Sequence, residues 1–191
     1  MIILDAVNTS LRYLGEMPVP STVDIDSLDE LHEAKIVRNT LLQVSKEYQA
    51  KGWWFNRENW TFVPDSATGK IGIPPTVLSI RGTTTKVINR GGTLYSFDNV
   101  SFDFTDSVEC LVVWEIPFED LPESFAELVT YTTARDTQSF LRGDTSTDAR
   151  LTAKVQESYL KVQREDIAFN QYNFISGTRL VDRTTRPTPV T

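Results

Sequence analysis

Carboxylates are the residues of this chain whose types and spacing could do chemistry. Four of them cluster near the end of a predicted strand, close to Trp114 and Phe118: Glu115, Glu119, Asp120 and Glu123. A glycosidase needs two carboxylates on either side of a sugar and requires neither a metal nor a histidine. One hypothesis is therefore a carboxylate-dependent polysaccharide hydrolase. The alternative is that these acids cap a helix and line a solvated loop, because any acidic protein offers such clusters.

The other reactive residues exclude most enzyme classes. His32 is the only histidine, so a Ser-His-Asp triad, a Cys-His pair and a multi-histidine metal site are excluded, and we expect it on a helix surface. The lone Cys110 lies in an apolar strand, which indicates a buried thiol. Thr68-Gly69-Lys70 resembles the end of a phosphate-binding loop, but Pro64 and Ile71 replace residues that this loop requires. We interpret it as a hairpin turn, and we predict no catalytic residue, metal or cofactor.

Charge and composition argue against a protein that binds nucleic acid tightly. The 191 residues carry a net charge of −7 and a pI of about 4.8, whereas binding to phosphate relies on clustered Lys and Arg. The length fits one domain, and a single cysteine fits a reducing compartment. The sequence begins without a basic leader and has no apolar run long enough to span a bilayer. We therefore expect a cytoplasmic, soluble product that does not bind lipid directly.

The charges are distributed unevenly along the chain. Residues 1–34 contain seven acids and one arginine, whereas the last fifteen residues carry Arg179, Arg183 and Arg186 against one aspartate. Residues 177–191 also contain two prolines and little apolar surface, so we expect an extended tail that becomes ordered on a partner. This tail either frays in solvent or docks on an acidic neighbouring surface through its arginines.

Apolar residues recur at helical spacing in four segments. We predict helices over residues 2–14, 27–51, 122–142 and 147–174. In the second helix, residues 27–30 supply a capping box at the start and Gly52 supplies a left-handed residue at the end. Asp120 is predicted to cap the third helix. The predicted buried sides of the last two helices comprise Phe125, Leu128 and Phe140 in one, and Leu151, Val155, Tyr159, Val162 and Phe169 in the other.

Between the second and third helices the apolar period changes to two, which is typical of strands. Trp60 and Phe62 alternate with polar or exposed positions, as do Phe102 and Phe104. Residues 87–95 predict a hairpin, because glycines stand where the turn needs a positive φ. Residues 109–116 form the strongest strand, with four side chains on one face: Cys110, Val112, Trp114 and Ile116.

Segregated runs of helix and strand imply an α+β fold. We predict an antiparallel bundle of long helices with an inserted antiparallel β-rich layer and an extended C-terminal tail. The corresponding units are the N-terminal helices, the β-rich insertion, the C-terminal helices and the tail, over residues 1–52, 53–118, 119–176 and 177–191.

Three consecutive aromatic residues stand where the second helix gives way to the strands. We predict that Trp53, Trp54 and Phe55 are structural and wedge the helix against the strand layer, because aromatic side chains bury large areas at such junctions. An exposed cluster that binds a sugar or a partner is the alternative.

Four sequence blocks resemble, in order and approximate spacing, the tail tubular protein A family of short-tailed, podovirus-type bacteriophages. They are Gly52-Trp53-Trp54-Phe55-Asn56, the predicted hairpin over 87–95, residues 120–125, and Tyr172-Asn173-Phe174. Ala6-Val7-Asn8 and residues 14–19 resemble the first helix of that family and the turn after it. The resemblance spans most of the chain.

The resemblance implies a structural virion protein, the adaptor or gatekeeper ring that joins the portal to the tail nozzle. In that family twelve copies form a ring below the portal, with the helices and C-terminal region toward the portal and the β-rich part toward the nozzle protein. It implies assembly in the host bacterial cytoplasm, tail fibres as further partners, and double-stranded DNA passing without sequence-specific binding. An acidic channel fits that passage, because tight binding of phosphate would slow ejection. The tail of this chain departs from the family in being rich in Thr and Pro.

Overall fold

The computed structural model describes residues 1–23 and 32–177, without the side chains of 32 and 171–177. The fold is α+β. The helices of the described residues are α1 (Ile3–Leu14), α2 (His32–Gln49), α3 (Glu123–Leu141) and α4 (Thr145–Gly177), and a short 3₁₀ turn at Phe118–Asp120 precedes α3. The strands are β1 (Arg57–Phe62), β2 (Val77–Gly82), β3 (Val87–Arg90), β4 (Thr93–Ser96) and β5 (Val108–Trp114).

The strands form two antiparallel units. A three-stranded sheet has the order β1-β5-β2, and β3 pairs with β4 as a hairpin. Gly91 and Gly92 both have positive φ, 61° and 81°, which suits a tight two-residue turn and confirms the predicted hairpin. The side chains that the sheet and hairpin bury form a separate strand core around Ile71, Leu94 and Val112.

A second core lies among the helices, and α3 contacts each of the other three. α3 is buried on several sides although it is rich in threonine. The hydroxyls of Thr130, Thr132 and Thr137 donate hydrogen bonds of 2.7 to 2.8 Å to backbone carbonyls four residues earlier in the helix. Because each hydroxyl is satisfied within its own helix, these threonines present their methyl groups to neighbours and pack as apolar residues.

The first helix is followed by an extended segment that is tied back onto it. Gly15 follows α1 directly and has φ of 76°, so the predicted helix end at residue 14 is confirmed. Asn8 then makes two hydrogen bonds with Val19, because its side-chain oxygen accepts from the backbone N–H at 2.7 Å and its amide donates to the carbonyl at 3.0 Å. Two of the blocks that carry the family resemblance thus hold each other in place.

Several predicted element boundaries are wrong. Asp120 belongs to the 3₁₀ turn and does not cap α3, whose N-cap position is Pro122 without a side-chain cap. Residues around Phe102 and Phe104 make isolated bridges rather than a strand. β5 ends at Trp114, so Ile116 leaves the strand face and packs on the helical core.

Two residues predicted to be buried are exposed. Phe140 of α3 is 77% exposed and Phe169 of α4 is 49% exposed. The helical spacing is right in both cases, but no element of the described chain covers these positions. The predicted capping box at residues 27–30 and the tail arginines Arg179, Arg183 and Arg186 lie outside the described residues, as does the side chain of His32.

Candidate functional site

The segment between α2 and β1 forms a tightly packed junction between the helices and the sheet. Gly52 has φ of 76°, and a Cβ at this position would lie 2.9 Å from a methyl group of Val113 on β5. Both its conformation and its surroundings require glycine. The close approach of the backbone to β5 sets how near the helical layer comes to the sheet.

Asn56 is a buried hub of this junction. Its side-chain oxygen accepts a hydrogen bond from the Trp53 backbone N–H at 2.8 Å. Its amide donates to the carbonyls of Gln49 and Trp114, at 3.0 and 2.9 Å. One side chain therefore connects the end of α2, the turn after it and the end of β5.

Gln49 is a second buried amide of the junction, and it holds the segment just after β5. It is 1% exposed, its side-chain oxygen accepts from the Ile116 N–H at 2.8 Å, and its amide donates to the Ile116 carbonyl at 3.0 Å. A buried amide that makes both bonds to one backbone residue fixes position and direction together. No signal in the sequence marks Gln49 as a buried residue, because a glutamine at a helix end is ordinarily solvated and no periodicity distinguishes this one.

Aromatic rings fill the space beside these two amides. The Trp53 ring is 6% exposed and makes edge contacts with Phe125 of α3 and Tyr159 of α4, with centroids 5.7 and 6.1 Å apart. Phe55 contacts Phe125 at 4.8 Å and Trp54 at 5.2 Å. The aromatic rings of the junction therefore belong to the helical core.

The half-buried Trp54 lies at the α4 side of the junction. Its backbone N–H donates to the Asp166 carboxylate at 3.0 Å, and Arg57 donates to Asn170 on the same helix. α4 therefore runs from the α3 end of the helical layer to the start of β1. With about 1.5 Å per residue, its 33 residues span about 50 Å.

The carboxylates that suggested a hydrolase are divided among different partners. Glu115 forms an ion pair with Lys46 at 2.9 Å, and Glu123 forms one with the amino group of Met1 at 3.0 Å. Glu119 and Asp120 are exposed in the 3₁₀ turn before α3. This arrangement fits acids at a helix start and in a solvated loop.

The other chemical candidates are structural. Cys110 is fully buried, and burial together with the charge of Glu109 raises the pKa of its thiol to about 11, so the thiol is protonated and shielded at neutral pH. Residues 65–70 form a turn in which the Asp65 carboxylate accepts two backbone N–H groups and the Thr68 hydroxyl. These hydrogen bonds lower the pKa of Asp65.

Within 1–23 and 32–177, no group of three or more His, Cys, Asp or Glu side chains could hold a metal ion. In the same ranges, no helix combines the length and the apolar character needed to cross a membrane.

Comparison with known proteins identifies the family. The sequence profile described as tail tubular protein matches residues 4–184. The chain belongs to the tail tubular protein family. It is also 32% identical over 186 residues to tail tubular protein A of Klebsiella phage KP34, an alignment that covers 96% of each chain.

Membership of the tail tubular protein family decides between the two functional hypotheses. This family consists of structural virion proteins, and the chain is a structural component of a phage tail rather than an enzyme. Its place is the virion tail, in an assembly with other tail proteins. The hydrolase hypothesis is therefore rejected.

Proposed function

We propose that this protein is the adaptor, or gatekeeper, ring of the tail. Twelve copies join the portal protein to a nozzle protein of the tail tubular protein B type and enclose part of the channel through which double-stranded DNA is ejected. The helices act as an antiparallel bundle facing the portal, together with the tail at residues 177–191, and the β-rich layer faces the nozzle. Assembly takes place in the host bacterial cytoplasm, and tail fibres are further partners.

The observation that carries this proposal is a pair of exposed aliphatic side chains on the outer face of α4, among polar and charged neighbours. Leu160 and Ile167 are 44% and 53% exposed. They lie seven residues apart and therefore on the same side of the helix. Phe140 of α3 is also exposed, as is Phe169 on another side of α4. A face with this spacing is typical of a helix that packs against another helix, and a neighbouring copy in a ring would supply it.

We propose that the chain consists of the same four units that the sequence predicts, over residues 1–52, 53–118, 119–176 and 177–191. The junction residues Trp53, Trp54 and Phe55 transmit the position of the helical layer to the strand layer. The low density of basic residues suits DNA that passes without being held, since affinity for duplex DNA comes mainly from contacts between cations and phosphates.

The test is the mass of complexes assembled on the purified portal protein. We expect the unmodified chain to add twelve copies per portal ring. A chain with both Leu160→Asp and Ile167→Asp should remain folded but should need a far higher concentration to complete the ring, because each carboxylate would be buried without a partner. Val63→Asp serves as a control, since Val63 is 74% exposed in the strand layer. Rings of normal mass from the double variant at normal concentrations would contradict the proposal.

A further inference from the structure

One face of the β3–β4 hairpin carries side chains that the strand core does not use. Val87 and Leu94 point into that core, whereas the opposite face and the loop after β4 expose large apolar groups. The exposed fractions are 42% for Ile88, 49% for Phe97 and 74% for Val100. We call this surface the tip patch and define it by six residues: Ile88, Arg90, Tyr95, Phe97, Val100 and Phe102.

The tip patch is held together by its own contacts. The Tyr95 ring makes edge contacts with Phe97 and Phe102, with centroids 5.6 and 4.9 Å apart. Ile88 lies directly opposite Tyr95 in the hairpin register. The guanidinium of Arg90 lies 3.8 Å from the Tyr95 ring centroid and 5.3 Å from that of Phe97. Because stacking orients the guanidinium, little entropy remains to be lost when a partner binds it.

Val100 presents its side chain at a conformational cost. It lies in the turn between the bridged residues Ser96 and Ser101 and has φ of 52°. Among the described residues it is the one non-glycine residue with positive φ. A β-branched residue is disfavoured in this region, and glycine or asparagine would adopt it more easily. The strained backbone therefore displays an apolar group that contributes little to the core.

A basic groove adjoins the tip patch. Arg81 and Lys86 line it together with Phe97, which belongs to both surfaces. The carboxylate of Asp98 accepts the backbone N–H of Lys86 at 2.9 Å. In the part of the chain that the structure describes, Arg81, Lys86 and Arg90 make no ion pair, although the protein as a whole is acidic.

We propose that the tip patch and the basic groove dock a second tail protein through an acidic segment that carries aliphatic side chains. The three cations attract the carboxylates, and the aromatic and valine side chains bury the aliphatic groups. Aromatic residues and arginine dominate the binding energy of protein interfaces, and both occur here in a preformed cluster. Exposed valine and isoleucine favour a protein partner over a phosphate backbone, which offers no apolar surface to cover them.

The probe is the purified nozzle protein of the same phage, and its choice rests on the proposed adaptor function. Affinity is measured by biolayer interferometry with the full chain, free and assembled on the portal. Arg90→Glu and Val100→Asp should each weaken binding by about tenfold or more, through reversed charge and through loss of a buried apolar side chain. Val63→Asp makes the same chemical change at a site that is also 74% exposed, and it should bind normally.

A second variant separates strain from general damage to the fold. Val100→Gly removes the conformational penalty, so it should raise the thermal midpoint. It should also weaken nozzle binding, because the apolar tip is lost. A higher midpoint together with lower affinity would not result from partial unfolding of the loop.

Three outcomes would overturn this inference. Normal nozzle binding by Arg90→Glu and Val100→Asp would do so while leaving the adaptor function intact, since ring assembly on the portal is scored separately. Failure of the unmodified chain to bind the nozzle protein in either form would also do so. The third outcome is loss of binding to a 30-base-pair duplex DNA in these variants without loss of nozzle binding, which would assign the surface to nucleic acid.

Discussion

At the scale of single residues, two buried amides organise the junction between the cores. Asn56 and Gln49 are 2% and 1% exposed, and each connects α2 to the end of β5 or to the chain just after it. Removing one would leave several backbone groups buried without partners, which generally costs about 1 to 3 kcal/mol for each group. Their geometry explains why the adjacent aromatic rings occupy fixed positions.

The structural role of the junction aromatics is tested by Trp54→Ala. Trp54 is half-buried against Phe55, so we expect its removal to lower the free energy of unfolding by about 2 kcal/mol, as measured by urea denaturation. Trp60→Ala is the matched control, because Trp60 is 47% exposed on an edge strand and should matter less. Unchanged stability of the Trp54 variant with abolished partner binding would assign this residue to an interface instead.

At the scale of elements, a glycine with positive φ follows each of the first two helices, but the two glycines are required for different reasons. Gly15 and Gly52 share a φ of 76°, so alanine would be strained at either position. A Cβ would meet nothing within 4 Å at Gly15, whereas at Gly52 it would approach the side chain of Val113 on β5. The second glycine therefore controls the spacing between layers as well as the turn that follows α2.

Alanine substitution at both positions separates these two effects. Gly15→Ala should lose roughly 1 kcal/mol of stability, which is the penalty for the left-handed conformation alone. Gly52→Ala should lose roughly 2 kcal/mol or more, because the contact with Val113 adds steric crowding. Chemical denaturation of both variants provides the comparison. Equal losses of stability in the two variants would show that the contact with Val113 relaxes without an energetic cost.

At the scale of the whole molecule, surfaces of different character occupy different parts of the fold. The outer face of α4 exposes Leu160 and Ile167, and the tip patch is aromatic and basic. The tail carries three arginines. A ring adaptor needs separate surfaces for its neighbours, for the protein above and for the protein below. This distribution supports the proposed position between portal and nozzle.

The tail is tested by deleting residues 179–191. We expect normal thermal stability and weaker assembly on the portal, because Arg179, Arg183 and Arg186 are proposed to bind acidic or carbonyl-rich surface. The difference in portal assembly between the truncated and the full chain should become smaller as added salt screens these contacts. Replacing the three arginines by glutamine keeps the length and isolates the charge. Unimpaired assembly of the truncated chain at low and high salt would show that the tail is a frayed end.

The family and the segregation of helices from strands could be read from the sequence. The end of α1 before Gly15 and the turn at Gly91 and Gly92 are predicted correctly, because the sign of the backbone φ and the side-chain period are local properties. The second helix ends at Gln49, two residues before its predicted end. The periodicity of apolar residues does not identify Thr130, Thr132 and Thr137 of α3 as core residues. Their burial depends on hydroxyls that bond within the helix.

The sequence by itself determined the four helical segments, the hairpin turn and the membership in a family of tail proteins. Only the tertiary structure decided which faces are covered. It exposes Phe140 and Phe169, and it joins Gln49 to Ile116 across 67 residues and Asn56 to Trp114 across 58. Helical spacing predicts that a helix face is apolar, but it does not predict what packs on that face. Hydrogen bonds between residues so far apart in the chain form only when separate elements meet.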